Sequence, residues 1–193
     1  MDLKNNIKEW FGEWFDTTYY HTLYKHRDYA EAELFIRNLV DYLKPDKNKL
    51  IVDLACGKGR HSKFLNSLGY NVLGLDLSEN SIRNASTASN ETLTFGVHDM
   101  RKPLPNKELG YVFNLFTSFG YFDDDAEDLN VLKSVYEGLQ PGGLMVLDFM
   151  NVQKVIKNLV FSENKELESI NFKITRAVID GFIVKKIKIE DQG

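Results

Sequence analysis

The run IVDLACGKGRHSKFLNSLGYNVLGLD, residues 51–76, carries the side chains best suited to chemistry. Asp53, Ala55, Cys56, Gly57, Lys58 and Gly59 share one loop, and Asp76 ends the following apolar run. A nucleoside triphosphate loop requires G-x-x-x-x-G-K followed by serine or threonine, whose hydroxyl holds magnesium. Here Gly57-Lys58 is followed by Gly59 and Arg60, so that hydroxyl is missing. A dinucleotide loop requires a third small residue where its helix packs on the strand. Counting from Ala55, Arg60 takes that place.

The carboxylates point to a different ligand. Asp53, at the mouth of the loop, repels a pyrophosphate and suits a ligand bearing an ammonium group. Asp76 is placed to accept hydrogen bonds from two ribose hydroxyls, as the equivalent acid does in dinucleotide folds. Small residues at 55, 57 and 59 let the backbone pass close beneath a ligand. A ribose, an amine and no phosphate together describe S-adenosylmethionine. Taken singly, the glycines would only turn the chain and Asp76 would only favour a helix N-terminus. Their combination outweighs both readings. Cys56 reads as a small buried filler, and Lys58 as a solvated side chain at a helix start.

The elements that must position these residues follow from hydrophobic periodicity. LIVDLA (50–55), NVLGLD (71–76), TLTFGV (92–97), YVFNLF (111–116) and LMVLDF (144–149) are short apolar runs of the buried, parallel-strand kind. Between them fall helical patterns over 58–68, stopped by Gly69, over 79–88 with Ser78 as N-cap, and over 125–138. In the last, Leu129, Leu132, Tyr136 and Leu139 form the apolar face, and Gln140-Pro141-Gly142-Gly143 is a hard stop. Upstream, one short helix and a loop or second short helix are predicted within 5–27. A longer helix over 28–43 presents Ala32, Phe35, Ile36, Leu39, Val40 and Leu43 on one stripe. The fold class is therefore α/β: a Rossmann-like, doubly wound, mostly parallel sheet with helices on both faces. A helix around 152–161 precedes two β-rich runs joined at Asp180-Gly181, a hairpin signal. The ligand belongs outside the carboxyl ends of the parallel strands.

These pieces, in this order and spacing, resemble the class I S-adenosylmethionine-dependent methyltransferases, specifically the small-molecule type, from about residue 20 to 150. The matching segments are VDLACGKGR, VLGLDLSENSI, HDMR (98–101), NLFTSFGYF (114–122) and PGGLMVLDF (141–149). The resemblance implies a cofactor site lined by Asp53, Ala55, Cys56, Gly57, Gly59, Asp76 and Leu77. It implies that Asp99 holds the adenine amino group, that Met100 lines the ring, and that Asn114, Leu115 and Phe116 close over the methionine end. Tyr24 and Arg27, in YHTLYKHRD, match a segment that covers the cofactor in related small-molecule methyltransferases. Gly110 departs from the aspartate usual before the fourth strand. The family's sheet also normally ends in two further strands, whereas the Lys-rich hairpin here suits a small antiparallel appendage. The expected organisation is a helical cap over the cofactor site (1–45), the cofactor-binding domain (46–162) and a hairpin appendage (163–193) that reads as truncated.

Composition narrows the partners. Of 193 residues, 24 are basic and 28 acidic, for a net charge of −4 without a basic cluster, which speaks against nucleic acid. One cysteine suits a reducing compartment, and neither a signal-peptide core nor an 18-residue apolar run is present. A cytoplasmic chain with no membrane partner is expected. His21, His26, His61 and His98 lack metal-ligand spacing, so no metal is expected. The acceptor is expected to be a small molecule, since the proline-rich segment that amino-methyltransferases of nucleobases and glutamine carry after the fourth strand is replaced by Asn114-Leu115-Phe116-Thr117. Phe119, Tyr121 and Phe122 are candidates for the substrate pocket, and Tyr20, His21, His26 and Tyr121 for groups that reach the acceptor. A homodimer through the hairpin edge is a further expectation. Two other functions stay open: a catalytically silent S-adenosylmethionine-binding module and an NAD-dependent oxidoreductase.

Overall fold

The computed structural model describes residues 10–25, 29–122 and 124–191. Five short strands form a parallel sheet: β1 (Leu50–Leu54), β2 (Asn71–Asp76), β3 (Leu93–Val97), β4 (Leu109–Asn114) and β5 (Leu139–Leu147). Their order is β3-β2-β1-β4-β5, so the chain reverses direction across the sheet between β1 and β4. In such sheets a ligand crevice opens at that switch, at the carboxyl ends of the strands.

The period of two along each strand sorts side chains to two faces. Ile51, Val72 and Phe113 pack with Ile36 and Leu65 on one face, whereas Val52, Leu54 and Val112 pack with Val131 and Val135 on the other. Ile36 belongs to α3 (Tyr29–Leu43) and Leu65 to α4 (Arg60–Ser67). The predicted stripe of α3 is inward, with Phe35, Leu39, Val40 and Leu43 against the same cluster. Next comes α5 (Glu79–Ala85), whose N-cap Ser78 accepts from the Ser81 N–H, and then α6 (Asp125–Gly138). Gly110, the departure noted in the sequence, packs so tightly on Lys49 that a Cβ there would lie 2.6 Å from the lysine Cβ.

Two local expectations are corrected. The buried face of α6 is Val131, Ser134, Val135 and Gly138, while Leu129, Leu132 and Tyr136 are 48%, 40% and 82% exposed. Small residues win because they allow close approach. Ser134 Oγ donates to the Lys102 carbonyl at 2.6 Å, and a Cβ on Gly138 would meet Leu104 Cδ1 at 3.0 Å. The second correction concerns Gln140–Gly143, which lies within β5 instead of ending an element. The register steps from Leu109↔Leu139 to Tyr111↔Leu144, so these four residues bulge opposite Gly110.

The chain divides into two compact units, residues 1–16 with 27–149 and residues 17–26 with 150–193. The first also contains α1 (Trp10–Trp14). The second comprises α2 (Thr18–Leu23), α7 (Val152–Lys157) and a three-stranded antiparallel sheet of β6 (Ser162–Leu167), β7 (Ile170–Ile179) and β8 (Phe182–Asp191). Leu23, Phe172 and Ile174 are its buried apolar residues. Asp180 and Gly181 have φ of 50° and 86°, the two left-handed residues of a tight hairpin turn between Ile179 and Phe182. Glu168 and Ser169 make the same turn between β6 and β7, with φ of 53° and 66°. Among the described residues no helix is long and apolar enough to cross a membrane.

Candidate active site

The loop after β1 holds three left-handed residues, Ala55, Gly57 and Gly59, at φ of 62°, 55° and 75°. Its two glycines serve different ends. A Cβ on Gly59 would lie 2.6 Å from Phe95 Cε1, so that position is reserved for the ring packed beneath. A Cβ on Gly57 would meet nothing within 4 Å among the described residues, so Gly57 is the glycine that leaves open space for a ligand. The Cys56 N–H donates to the Leu75 carbonyl at 3.0 Å, and its buried thiol is pushed well above its ordinary pKa, chiefly by burial. It is a neutral filler, as its sequence context suggests.

Asp76 is tied into this loop. Its Oδ2 accepts from the Gly57 N–H at 2.8 Å and its Oδ1 from the Ser78 N–H at 2.9 Å. Each oxygen retains a lone pair. Burial raises its pKa, the Ser78 and Gly57 N–H groups oppose the rise, and Asp16 adds to it. Leu77 follows, exposed. Asp53 behaves differently from its expected place at the loop's mouth: it is buried beneath the loop, and its Oδ2 accepts from Ser62 Oγ at 2.5 Å. The alternation of β1 puts it on the α4 side, and burial pushes its pKa to about 6 against the pull of Ser62.

The other strand ends supply the remaining candidates. After β3, the Asp99 carboxylate is gripped by Arg101, while Met100 packs on the second core cluster. At the end of β4, Asn114 is wholly buried, with its Nδ2 donating to the Leu54 carbonyl at 3.0 Å. Among the described residues its Oδ1 has no partner. Leu115 is buried in the first cluster, and Phe116 and Thr117 turn the chain at φ of 60° and 58°. Two such residues in a row cost about 1–2 kcal/mol each. Asp148 restrains them, its Oδ2 accepting from the Phe116 N–H at 2.9 Å and its carbonyl from the Thr117 N–H at 3.2 Å. The Phe116 ring lies 4.8 Å from the His61 ring and 4.3 Å from the Arg60 guanidinium carbon.

Asp16, which the sequence did not single out, accepts from Ser78 Oγ and from Asn80 Nδ2, the latter at 3.0 Å. In the same segment Phe11 meets Phe122 edge-on at 5.6 Å, and Phe15 meets Tyr121 at 5.5 Å. Residues 10–16 thus bridge the loop after β2 and the loop after β4. No local pattern announces this, because a single Asp after an aromatic run is an ordinary surface residue.

Residues 51–143, which contain the glycine loop, Asp76 and Asp99, match the family described as a methyltransferase domain. They form a class I S-adenosylmethionine-dependent methyltransferase domain. A dTDP-3-amino-3,4,6-trideoxy-alpha-D-glucopyranose N,N-dimethyltransferase of Streptomyces venezuelae is 32% identical over 123 residues, 63% of this chain and 51% of the relative. Among solved structures, an S-adenosylmethionine-dependent methyltransferase from Clostridium acetobutylicum superimposes with a TM-score of 0.67 at 18% identity, over 89% of this chain and 77% of that one. An amino pentose methyltransferase from Micromonospora echinaspora, solved with S-adenosylmethionine bound, gives 0.65 at 17% identity, over 90% and 81%. At these identities the two structures speak for the fold. The chain spans about half the length of the curated relatives it matches.

The methyltransferase domain's own geometry fits the family's cofactor at two points, the open face of Gly57 and the lone pairs left on a braced Asp76. The second unit holds Tyr20, His21 and Tyr24. There Tyr24 Oη accepts from Lys185 Nζ at 2.5 Å, and the Tyr20 ring lies 4.9 Å from that of Tyr24 and 5.5 Å from that of His21. His26 and Arg27 lie outside the described residues. Phe119 and Phe122 both pack on the second core cluster of the methyltransferase domain.

Proposed function

We propose that this chain binds S-adenosylmethionine at the carboxyl ends of β1 to β4 and catalyses in-line methyl transfer to a small-molecule acceptor. The observation that carries the reading is the Asp76 carboxylate, braced by the Gly57 and Ser78 N–H groups with lone pairs left for two ribose hydroxyls. Gly57 lets the methionine half pass close to the backbone, Asp99 meets the adenine amino group, and Leu77 and Met100 flank the ring. The Phe116–Thr117 turn closes the methionine end. When bound, the cofactor supplies a methyl group on a positive sulfonium, already activated. The protein therefore aligns the acceptor and excludes water. Phe119, Tyr121 and Phe122, with Phe11 and Phe15 against the last two, are the apolar wall for that task.

A general base is required only for an acceptor that is protonated at working pH. Tyr20, His21, His26 and Tyr121 are the proposed candidates, and Tyr24 and Arg27 the proposed cofactor cover. The aminosugar-methylating relative supports amines as the first acceptors to screen. We also propose pairing of two copies through the exposed edge of the C-terminal hairpin, measurable as a dimer by ultracentrifugation.

Calorimetry on the full chain tests the cofactor reading. S-adenosylmethionine and its demethylated product are expected to bind in the micromolar range. Asp76→Ala removes two charge-assisted hydrogen bonds and is expected to weaken both by at least about tenfold. Binding of NAD and of neither sulfur ligand overturns the reading in favour of an oxidoreductase. Binding without product formation from any amine, phenol or carboxylate acceptor favours a silent binding module.

A further inference from the structure

Arg101 sits at the centre of a shielded cluster. Its Nε donates to Asp99 Oδ1 at 3.0 Å and Oδ2 at 3.2 Å, and its Nη2 donates to Oδ2 at 2.8 Å. Its backbone N–H adds a 3.0 Å bond to Oδ1. In the other direction, Nη1 reaches Glu127 Oε1 on α6 at 2.7 Å, and the guanidinium carbon lies 4.8 Å from the centre of the Phe122 ring. The two side chains of the Asp99 pair are only 17% and 15% exposed. Exposed ion pairs contribute little because water screens them; this one is largely out of water, and its fork geometry is directional.

We propose that Arg101 is a positioning residue that aims Asp99 at the adenine amino group and thereby sets the selectivity for an adenosyl cofactor. A carboxylate offers about four acceptor sites. Those of Oδ1 are filled by Arg101 Nε and the Arg101 backbone N–H, and Nη2 takes one on Oδ2. The single Nε proton is shared, nearer to Oδ1 at 3.0 Å than to Oδ2 at 3.2 Å, so among the described residues the second site on Oδ2 holds only the longer branch of that shared bond. It is the acceptor site left for the exocyclic amino group. Burial alone would raise the Asp99 carboxyl, but Arg101 outweighs it and holds the group below its ordinary range, as an acceptor. Glu127 and Phe122 fix the guanidinium from outside the loop, so its direction is not left to a flexible side chain.

This inference rests on the proposed cofactor reading, and its test separates the two. S-inosylhomocysteine carries a carbonyl where S-adenosylhomocysteine carries the amino group. Calorimetry would compare both ligands on the full-length wild type, Arg101→Gln and Arg101→Lys. A site that loses one hydrogen-bonding partner discriminates by about 5- to 150-fold. The wild type is expected to prefer the adenosyl ligand by at least about tenfold. Arg101→Gln is expected to lower that preference about fivefold or more while S-inosylhomocysteine affinity stays within about threefold. Arg101→Lys, which keeps the charge and loses the fork, is expected to fall between, and carries the test if the glutamine variant does not fold. A variant that weakens both ligands equally, leaving the ratio unchanged, reduces Arg101 to a loop brace and overturns the proposal. A wild type that binds both without preference also overturns it while leaving the cofactor reading intact. A wild type that binds neither ends both.

Discussion

His61 makes the fold acid-sensitive in a way that one substitution should remove. The side chain is 5% exposed, its ring lies against Phe116 and Phe35, and among the described residues its Nε2 has no hydrogen-bond partner. Burial, aided by the charge of Arg60, lowers its pKa from 6.5 to about 3. Between those values the unfolded chain binds the proton and the folded chain does not. Stability is therefore lost as pH falls from the unfolded value towards the folded one, and is unaffected above both. At about pH 5 the loss relative to about pH 8 is roughly 1.5 pH units, or about 2 kcal/mol. Asp53 acts in the opposite sense. Its raised folded value of about 6 makes the folded state the proton binder between the ordinary carboxylate range and about 6, so that contribution is lost as pH rises. Replacing His61 leaves the Asp53 contribution in both proteins, so their difference isolates the histidine. Urea unfolding of wild type and His61→Phe at the two pH values should show the wild type losing about 2 kcal/mol more on acidification. In melting curves that is about 4–8 °C for a chain of this size. Equal acid sensitivity in the two proteins would mean that His61 protonates freely in the folded state, and the burial argument would fail.

The two loop glycines should separate stability from binding. Gly59→Ala places a Cβ 2.6 Å from Phe95 at φ +75°, and is expected to cost about 2–4 kcal/mol from overpacking and left-handed strain together. Gly57→Ala enters open space, and is expected to cost only about 1–2 kcal/mol while weakening S-adenosylmethionine binding about tenfold or more. A wild-type melting temperature for the first, or wild-type affinity for the second, contradicts the assignment. On α6, Leu132→Glu is expected to change stability by no more than about 0.5 kcal/mol. Val135→Asp, which buries an unpaired carboxyl, is expected to cost about 3 kcal/mol or more in the same denaturation assay.

Local signals carried the architecture. The strand at 71–76 and the helix at 125–138 lie where alternation and turn residues place them, because each boundary is marked by Gly, Asp or Ser chemistry acting over a few residues. The turn at Asp180-Gly181 was legible for the same reason, while the equivalent turn at Glu168-Ser169 was not. Neither Glu nor Ser advertises a positive φ, so no residue type marks that turn; the contact Glu168 makes there, accepting from Lys25 Nζ at 2.5 Å, spans 143 residues. The inner face of α6 does not show in the hydrophobic pattern because half of it is Ser134 and Gly138, whose value is close approach to Lys102 and Leu104 and not hydrophobicity.

The site shows the same division between types and relations. Asp76 and Gly57 were legible because a carboxylate ending one strand and a glycine following another belong to a fixed βαβ geometry. The bond from Gly57 N–H to Asp76 Oδ2 is the direct consequence, 19 residues apart in sequence. Asp16 reaches Ser78 across 62 residues, and no period or turn rule connects them. Arg101 is intermediate. Its grip on Asp99 spans two residues and is implicit in the order Asp-Met-Arg, but its contact with Glu127 spans 26 and turns a local pair into a braced one. The contacts closest to the proposed cofactor contacts are thus the ones a sequence motif reveals. The contacts that hold them rigid are made by residues whose types are common and whose partners only the fold selects.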